Sequence, residues 1–275
     1  MTVQFGVFLT PTAADPARVV ELAVAAEGAG IDLVTVQDHP YQPAFLDAWT
    51  LLSVIAGRTE RVTLSGNVLN LPLRHPAMLA RSAASLDLLT GGRVTMGLGA
   101  GFFWDGIAAM GGPRRTPGEG VDALSEAITV MRALWSTEPG GVFLDGPQYP
   151  ITGAKRGPAP AHPIPICVGA LKPRMLRLIG RQADGWWASL NMLGDETELA
   201  TSGAIIDEAA RAAGRDPGAI ARILNVGGAD AHPERLVHLA RTYGVSTFVL
   251  AGDDPRAIER FGSEVAPAVR AELGR

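Results

Sequence analysis

The sequence predicts an α/β protein: a (β/α)8 barrel of parallel strands with a short insertion between its fourth helix and fifth strand. Three observations lead there. Eight strand-then-helix units can be counted along 275 residues, a length that suits one such barrel. The strand segments are continuous apolar runs, as parallel strands covered on both faces should be. Proline stands at five helix starts that follow a strand, Pro16, Pro76, Pro173, Pro233 and Pro255, where its fixed φ and missing N–H cost nothing. An open doubly wound sheet is the competing arrangement, and eight units in this length favour closure.

The first strand spans Gln4 to Leu9. Asp15-Pro16 opens the first helix, with Asp as cap, and Val19, Leu22, Ala23 and Ala26 repeat at helical spacing before Gly28 and Gly30 end it. Strand two is Asp32 to Val36, and helix two runs from about Phe45 to Arg58. Strand three is Arg61 to Val68; Pro76 opens a third helix that stops near Thr90-Gly91-Gly92. Strand four, Arg93 to Gly99, breaks into Gly99-Ala100-Gly101, and after a longer loop helix four runs from about Glu119 to Trp135. Its Val121, Leu124, Ile128, Met131 and Trp135 keep the spacing of a packed face. Residues 137–163 are irregular and rich in Pro and Gly, an insertion within a barrel domain that spans 1–275, with a hairpin expected around Gly141 to Tyr149. The alternation then resumes. Strand five is Ile164 to Val168, strand six Gly185 to Ala188 and helix six about Glu196 to Ala213. Strand seven is Ala221 to Val226 and strand eight Thr247 to Leu250.

Composition narrows the function. A net charge of -4 without a Lys/Arg stripe argues against a nucleic-acid partner. The lone cysteine, Cys167, sits in an apolar run; it excludes an intramolecular disulfide framework and a zinc cage and fits a reducing cytoplasm as a small core residue. The segment Met1 to Gly6 has no basic region followed by a long apolar stretch, so no signal peptide is expected. No stretch approaches the roughly 18 apolar residues of a membrane span. The histidines at 39, 75, 162, 232 and 238 lack metal-ligand spacing, and His75 and His232 precede helix-opening prolines, as caps would.

A barrel builds its active site where the strands end, and the polar side chains cluster there. Asp38-His39 follows strand two and places a carboxylate and an imidazole at the rim; histidine can give or take a proton near neutral pH, while Asp38 could equally cap a turn. Ser65-Gly66-Asn67-Val68-Leu69-Asn70 crosses from strand three into its loop, with glycine and two amides. Gly97-Leu98-Gly99-Ala100-Gly101 fails as a dinucleotide fingerprint, because Phe102 fills the third glycine position and Phe103-Trp104 open no obvious helix. It remains a loop whose bare backbone can approach a phosphate or a flat ring. Val168-Gly169-Ala170-Leu171-Lys172-Pro173 leads into a helix N-terminus, a phosphate-type site with Lys172 and Arg174 nearby. Asp184-Gly185-Trp186-Trp187 is expected to supply a neighbouring wall. There is no Walker-type loop, His-Glu-x-x-His pair or Gly-x-Ser-x-Gly elbow.

Taken in order, these segments resemble the bacterial luciferase-like monooxygenase family. The resemblance rests on Gly28-Ala29-Gly30-Ile31-Asp32, Asp38-His39, Arg61-Val62-Thr63-Leu64 and Leu71-Pro72-Leu73-Arg74-His75-Pro76. Its longest stretch is Leu86-Asp87-Leu88-Leu89-Thr90-Gly91-Gly92-Arg93-Val94 with Gly97 to Gly101. Pro163 to Ala170 and Ala183-Asp184-Gly185-Trp186-Trp187 complete it. The resemblance implies a barrel that binds FMN or the deazaflavin coenzyme F420, with a non-prolyl cis peptide near Asn67-Val68 under the ring. It matches His39 to the cofactor-side histidine of the deazaflavin enzymes, with Asp38 before it. The phosphate end would meet Gly99-Ala100-Gly101 and the Gly169-Ala170 turn. The Asp-His pair resembles the deazaflavin branch more than the Glu-His-His of some FMN members. The expectation is therefore F420-dependent hydride transfer to or from a small organic substrate, with His39 moving the matching proton. The alternatives are an FMN monooxygenase using reduced flavin and dioxygen, with a separate flavin or F420 reductase as partner, and a non-catalytic flavin-binding barrel. Relatives are commonly homodimers. The chain is short for the family, which leaves the substrate open.

Overall fold

A computed structural model describes residues 3–274; Met1 and Thr2 of the segment read for a leader, and Arg275, lie outside the described residues. The strands are β1 (Gln4–Leu9), β2 (Leu33–Val36), β3 (Thr63–Gly66), β4 (Leu69–Asn70), β5 (Met96–Gly99), β6 (Gly141–Leu144), β7 (Ile151–Lys155), β8 (Ile166–Gly169), β9 (Gly185–Ser189), β10 (Ala221–Val226) and β11 (Thr247–Ala251). The helices are α1 (Pro16–Gly28), α2 (Ala48–Ala56), α3 (Pro76–Thr90), α4 (Trp104–Ala109), α5 (Pro117–Trp135), α6 (Pro173–Gln182), α7 (Glu198–Ala212), α8 (Pro233–Tyr243), α9 (Pro255–Arg260) and α10 (Ala266–Leu273). All but β6 and β7 form one sheet in the order β3-β2-β1-β11-β10-β9-β8-β5-β4, and every pairing in it is parallel.

The two ends of that order belong to one broken strand. β3 pairs with β2 and β4 pairs with β5, and between them the Asn67–Val68 peptide bond is cis. The edges meet where Leu64 bridges to Val94: Leu64 N donates to Arg93 O at 2.8 Å and Thr95 N to Leu64 O at 3.0 Å. Eight strand positions thus close a ring. A small cluster of Leu33, Cys167, Trp187, Ile223 and Val249 draws one side chain each from five of them, as a filled barrel interior does. Burial pushes the Cys167 thiol up to about 12, with Asp184 adding to it, so the thiol stays protonated and packs as a small apolar group.

The five expected prolines each occupy the first helical position, and Pro117 adds a sixth. Helix starts follow the caps. α2 begins at Ala48, not Phe45, because Asp47 Oδ1 accepts from Thr50 N at 2.8 Å. α5 begins at Pro117, two residues before the expected start, through a reciprocal capping box between Thr116 and Glu119. The His75 side chain caps α3 as expected, whereas His232 makes no cap bond and its ring instead faces Glu234. Among the elements not anticipated are α4, which opens at Trp104 without a side-chain cap, and the π-turn Phe261–Val265 that joins α9 to α10. The insertion forms a hairpin whose return strand, β7, lies beyond Tyr149. Among the described residues no helix is long and apolar enough to cross a membrane.

Candidate active site

The carboxyl ends of the barrel strands converge on one mouth, and the β2 end is its most heavily tied part. Asp38 is 2% exposed. Its Oδ2 accepts from Asn70 N at 2.8 Å and from Arg74 Nε at 2.6 Å, and its Oδ1 accepts from Arg74 Nη2 at 2.7 Å. This is a bidentate, charge-assisted clamp. Arg74 also reaches the Asp47 carboxylate that caps α2; burial opposes its charge, but the two carboxylates outweigh that and hold its pKa high. Both Asp38 oxygens are engaged by these donors, so of the expected pair Asp38 ties the end of β2 to the segment after β3.

His39, next in the chain, is exposed at the β2 end of the mouth. Its ring stacks near Tyr41 (centroids 5.6 Å, 17° between planes) and Phe45 (6.5 Å, 19°). Phe45 is itself fixed by an antiparallel bridge to Thr12 after β1, and Leu46 N donates to Pro11 O at 2.7 Å. Desolvation lowers the His39 pKa and the Asp38 charge opposes it, with desolvation the stronger. At neutral pH the ring is therefore a neutral imidazole, with one nitrogen free to accept.

Val68 follows the cis bond, and two glycines make room for its side chain. A Cβ on Gly99 would lie 2.7 Å from Val68 Cγ2, and one on Gly169 would lie 3.1 Å from the same atom. The ends of β5 and β8 are thus bare because the Val68 side chain rests on them. Gly101 has φ +98°, and a side chain there would strike Pro72, Trp104 and Ile107, so only glycine fits that turn. Trp186 Nε1 donates to Ala170 O at 2.9 Å and holds the next loop. The first turn of α6 follows, with Lys172 as a cap residue that makes no side-chain cap bond.

Beneath Val68 lies a polar network. Asn67 Nδ2 donates to Asn225 Oδ1 at 2.8 Å and Asn225 Nδ2 returns a bond to Asn67 Oδ1 at 3.1 Å. Trp187 Nε1 donates to Asn225 Oδ1 at 3.0 Å, and Asn225 Nδ2 donates to Ser189 Oγ at 2.8 Å. Asn67 N donates to Val36 O at 2.8 Å. Asn225, from β10, thus anchors the bulge from across the barrel. Its place inside a strand of apolar residues is the one signal of this role in the sequence. Asn225→Ala leaves Asn67 Oδ1 and Trp187 Nε1 without their partners, while Asn67 Nδ2 keeps Thr35 Oγ1 at 3.3 Å, and is expected to lower stability by about 1–3 kcal/mol, read from a urea midpoint; a loss near zero would mean the pair does not hold the bulge.

The structure brings Asp38, His39, Asn67, Val68, Gly99, Ala100, Gly101, Gly169, Ala170 and Leu171 to this mouth. It does not bring Asp184 and Gly185 there. They lie at the start of β9, on the opposite rim. Asp184 N donates to Ile166 O at 2.7 Å, Ile166 N donates to Asp184 Oδ2 at 2.9 Å, and the carboxylate pairs with Arg132 at 2.9 Å. A Cβ on Gly185 would sit 2.6 Å from Cys167 Sγ. Their role is to hold the base of the barrel, because the apolar residues Trp186–Ala188 that follow them still have to run up the strand. Asn70, by contrast, gains weight: it is 6% exposed and its Oδ1 has no hydrogen-bond partner.

A family profile described as luciferase-like monooxygenase matches residues 2–258. An F420-dependent glucose-6-phosphate dehydrogenase of Kribbella flavida is 33% identical over 236 residues, covering 82% of this chain and 69% of that one. An F420-dependent hydroxymycolic acid dehydrogenase of Mycobacterium tuberculosis is 36% identical over 256 residues, covering 88% of this chain and 66% of that one. Across the curated relatives it matches, the chain spans from about half to about two thirds of their length. The fold of an F420-dependent secondary alcohol dehydrogenase holding an F420–acetone adduct superposes with a TM-score of 0.85 at 21% identity, covering 98% of this chain and 100% of that one.

Proposed function

The chain belongs to the luciferase-like monooxygenase family, and from that premise we propose that it is an oxidoreductase that works with coenzyme F420. The observation that carries the reading is the seat at the mouth: Val68 lying on Gly99 and Gly169, with the exposed, neutral His39 at the β2 end of the same mouth. The residues present fit the coenzyme. Val68 offers a small apolar surface for a flat ring, and the buried, unpartnered Asn70 Oδ1 awaits an N–H or O–H donor. The Gly99-Ala100-Gly101 and Gly169-Ala170-Leu171 loops leave backbone open beside Lys172 and Arg174 for an anionic tail. Arg174 has only an exposed pairing with Asp122 at 3.3 Å, which costs little to exchange.

When bound, the coenzyme supplies a carbon centre that takes a hydride from, or gives one to, the substrate. The chain supplies the rest. His39 accepts the hydroxyl proton of an alcohol, or returns it to a carbonyl oxygen, so that charge does not build on that oxygen. Asn67 and Asn225 hold the seat, and Asp38 with Arg74 fixes the strand end that carries His39. The protein's share is orientation and electrostatics.

Titration with F420 tests this reading. Saturable binding of F420 that FMN does not displace is expected. In Gly99→Ala the new Cβ crowds Val68, and F420 affinity is expected to fall about tenfold or more (about 1.4 kcal/mol) beside a stability loss of about 1–3 kcal/mol. Unaltered F420 affinity in that variant would mean the ring sits elsewhere. Preferential FMN binding with oxygen uptake would replace the deazaflavin reading with the oxygenase one.

The same reading includes a homodimer, a cytoplasmic location and a separate reductase or oxidant enzyme that recycles the coenzyme. The dimer is supported by Val54, Met78, Leu88 and Leu89, apolar side chains of α2 and α3 that are 47–85% exposed. The location is supported by a single buried, unpaired cysteine.

A further inference from the structure

We propose that the exposed face of α6 holds the anionic tail of the coenzyme, the string of γ-linked glutamates that follows the phosphate of F420; this rests on the F420 reading above. Between Val168 and Ala183 the chain carries Lys172, Arg174, Arg177 and Arg181 and no Asp or Glu. The helices packed on either side mix signs: α5 has Glu119, Asp122 and Glu126 with Arg132, and α7 has Glu198, Asp207 and Glu208 with Arg211. In a chain of net charge -4, a helix that carries cations alone is an exception. Leu176, Leu178 and Ile179 bury one side of α6, and Arg174, Arg177 and Arg181 are exposed. Their spacing of i, i+3 and i+7 keeps them on one face, in a row about 10 Å long.

The row opens at the mouth. Lys172 is the α6 cap residue that follows Gly169-Ala170-Leu171, and it makes no cap bond. Arg174 lies over the first turn of α5, where a Cβ on Gly118 would meet its Nη1 at 2.7 Å, and a Cβ on Gly120 would lie 3.7 Å from that of Ala100. The start of the row thus adjoins both loops that face the phosphate end of the coenzyme. Helix stability does not account for these charges: Lys172 and Arg174 sit at the positive end of the helix dipole, where cations are disfavoured. Nor does pairing within the fold. Lys172, Arg177 and Arg181 make no hydrogen bond or ion pair among the described residues, and Arg174 has Asp122 alone, at 3.3 Å, with both side chains more than half exposed. Cations left to water in a row that starts at the mouth match a ligand whose successive free carboxylates trail out of it.

Two forms of the coenzyme test this: F420 that ends at its phospholactyl group, and F420 that bears several glutamates. Each is titrated into the full chain and followed by coenzyme fluorescence at about 0.05 M and about 0.5 M salt. At low salt the tailed form is expected to bind about tenfold more tightly, the combined worth of several exposed ion pairs, and at high salt screening should close the gap. Arg177→Ala with Arg181→Ala should remove most of the gap and leave the affinity for the tail-less form unchanged. Arg18→Ala with Arg241→Ala, which takes the same charge from α1 and α8, should leave the gap intact. Equal affinities for the two forms at low salt overturn the tail site alone. So does a gap that survives the loss of Arg177 and Arg181, or an equal loss of affinity for the tail-less form in that variant. Binding of neither form overturns the F420 reading and the tail site with it.

Discussion

Replacing His39 with Ala is expected to lower turnover by about 10²–10⁴-fold, the usual worth of a positioned proton-transfer group, while F420 affinity stays within a few fold. The asymmetry follows from where the ring sits. His39 is exposed at the mouth between Tyr41 and Phe45, and its nitrogens make no hydrogen bond among the described residues, whereas the seat is built by Val68, Gly99 and Gly169. The sign of the pH dependence follows from the lowered pKa. As a base in alcohol oxidation His39 must be neutral, so the rate should climb with pH with its midpoint below the ordinary histidine value of 6.5. In the reductive direction it must carry the proton, so the rate should instead fall as pH rises through the same range. Both limbs should vanish in His39→Ala. Steady-state rates from pH 4.5 to 8.5 in each direction check this; turnover that survives with its pH limb intact would remove His39 from proton transfer.

Much of this molecule was legible in the sequence, for reasons that differ by element. The eight units showed because parallel strands buried on both faces are apolar throughout, and because proline marked the helix starts. The rim loops showed because glycines such as Gly99 and Gly169 have no other reason to end an apolar strand. What stayed hidden depends on contacts between distant parts of the chain. α4 lacks a cap and is too short to show a periodicity, so Phe102-Phe103-Trp104 looked like plain loop. Asn225 is one amide in a strand, and only the barrel reveals that it faces Asn67, 158 positions away. Asp184 looked like a rim residue because it adjoins a strand; which end of the strand it adjoins decided the matter. Asp38 sat beside the right histidine, but its partner Arg74 lies 36 positions on, so its structural duty could not be read from the pair alone.

That duty predicts a second large effect, on stability. Asp38→Ala removes a carboxylate whose side chain is 1% exposed and leaves the Arg74 guanidinium, 16% exposed, without its bidentate partner. Breaking a buried ion pair by deleting one member costs about 3–5 kcal/mol, because the surviving charge is stranded away from water. Asn70 N loses its acceptor as well and adds to the cost. Asp47 provides the internal control. It contacts the same guanidinium, but its side chain is 45% exposed, so after Asp47→Ala water can take its place, and the expected cost is the ~1 kcal/mol of the lost α2 cap with little more for the exposed pair. Guanidinium denaturation of the three proteins should therefore order them as unsubstituted, Asp47→Ala, Asp38→Ala, with the second step the larger. Asp38→Ala should also weaken F420 binding, since the clamp joins the strand end before His39 to the segment that follows Val68, and Asp47→Ala should not. Equal destabilisation by the two substitutions would show that the Arg74 charge is satisfied by water or by Asp47 alone, and that the mouth does not depend on Asp38 for its shape.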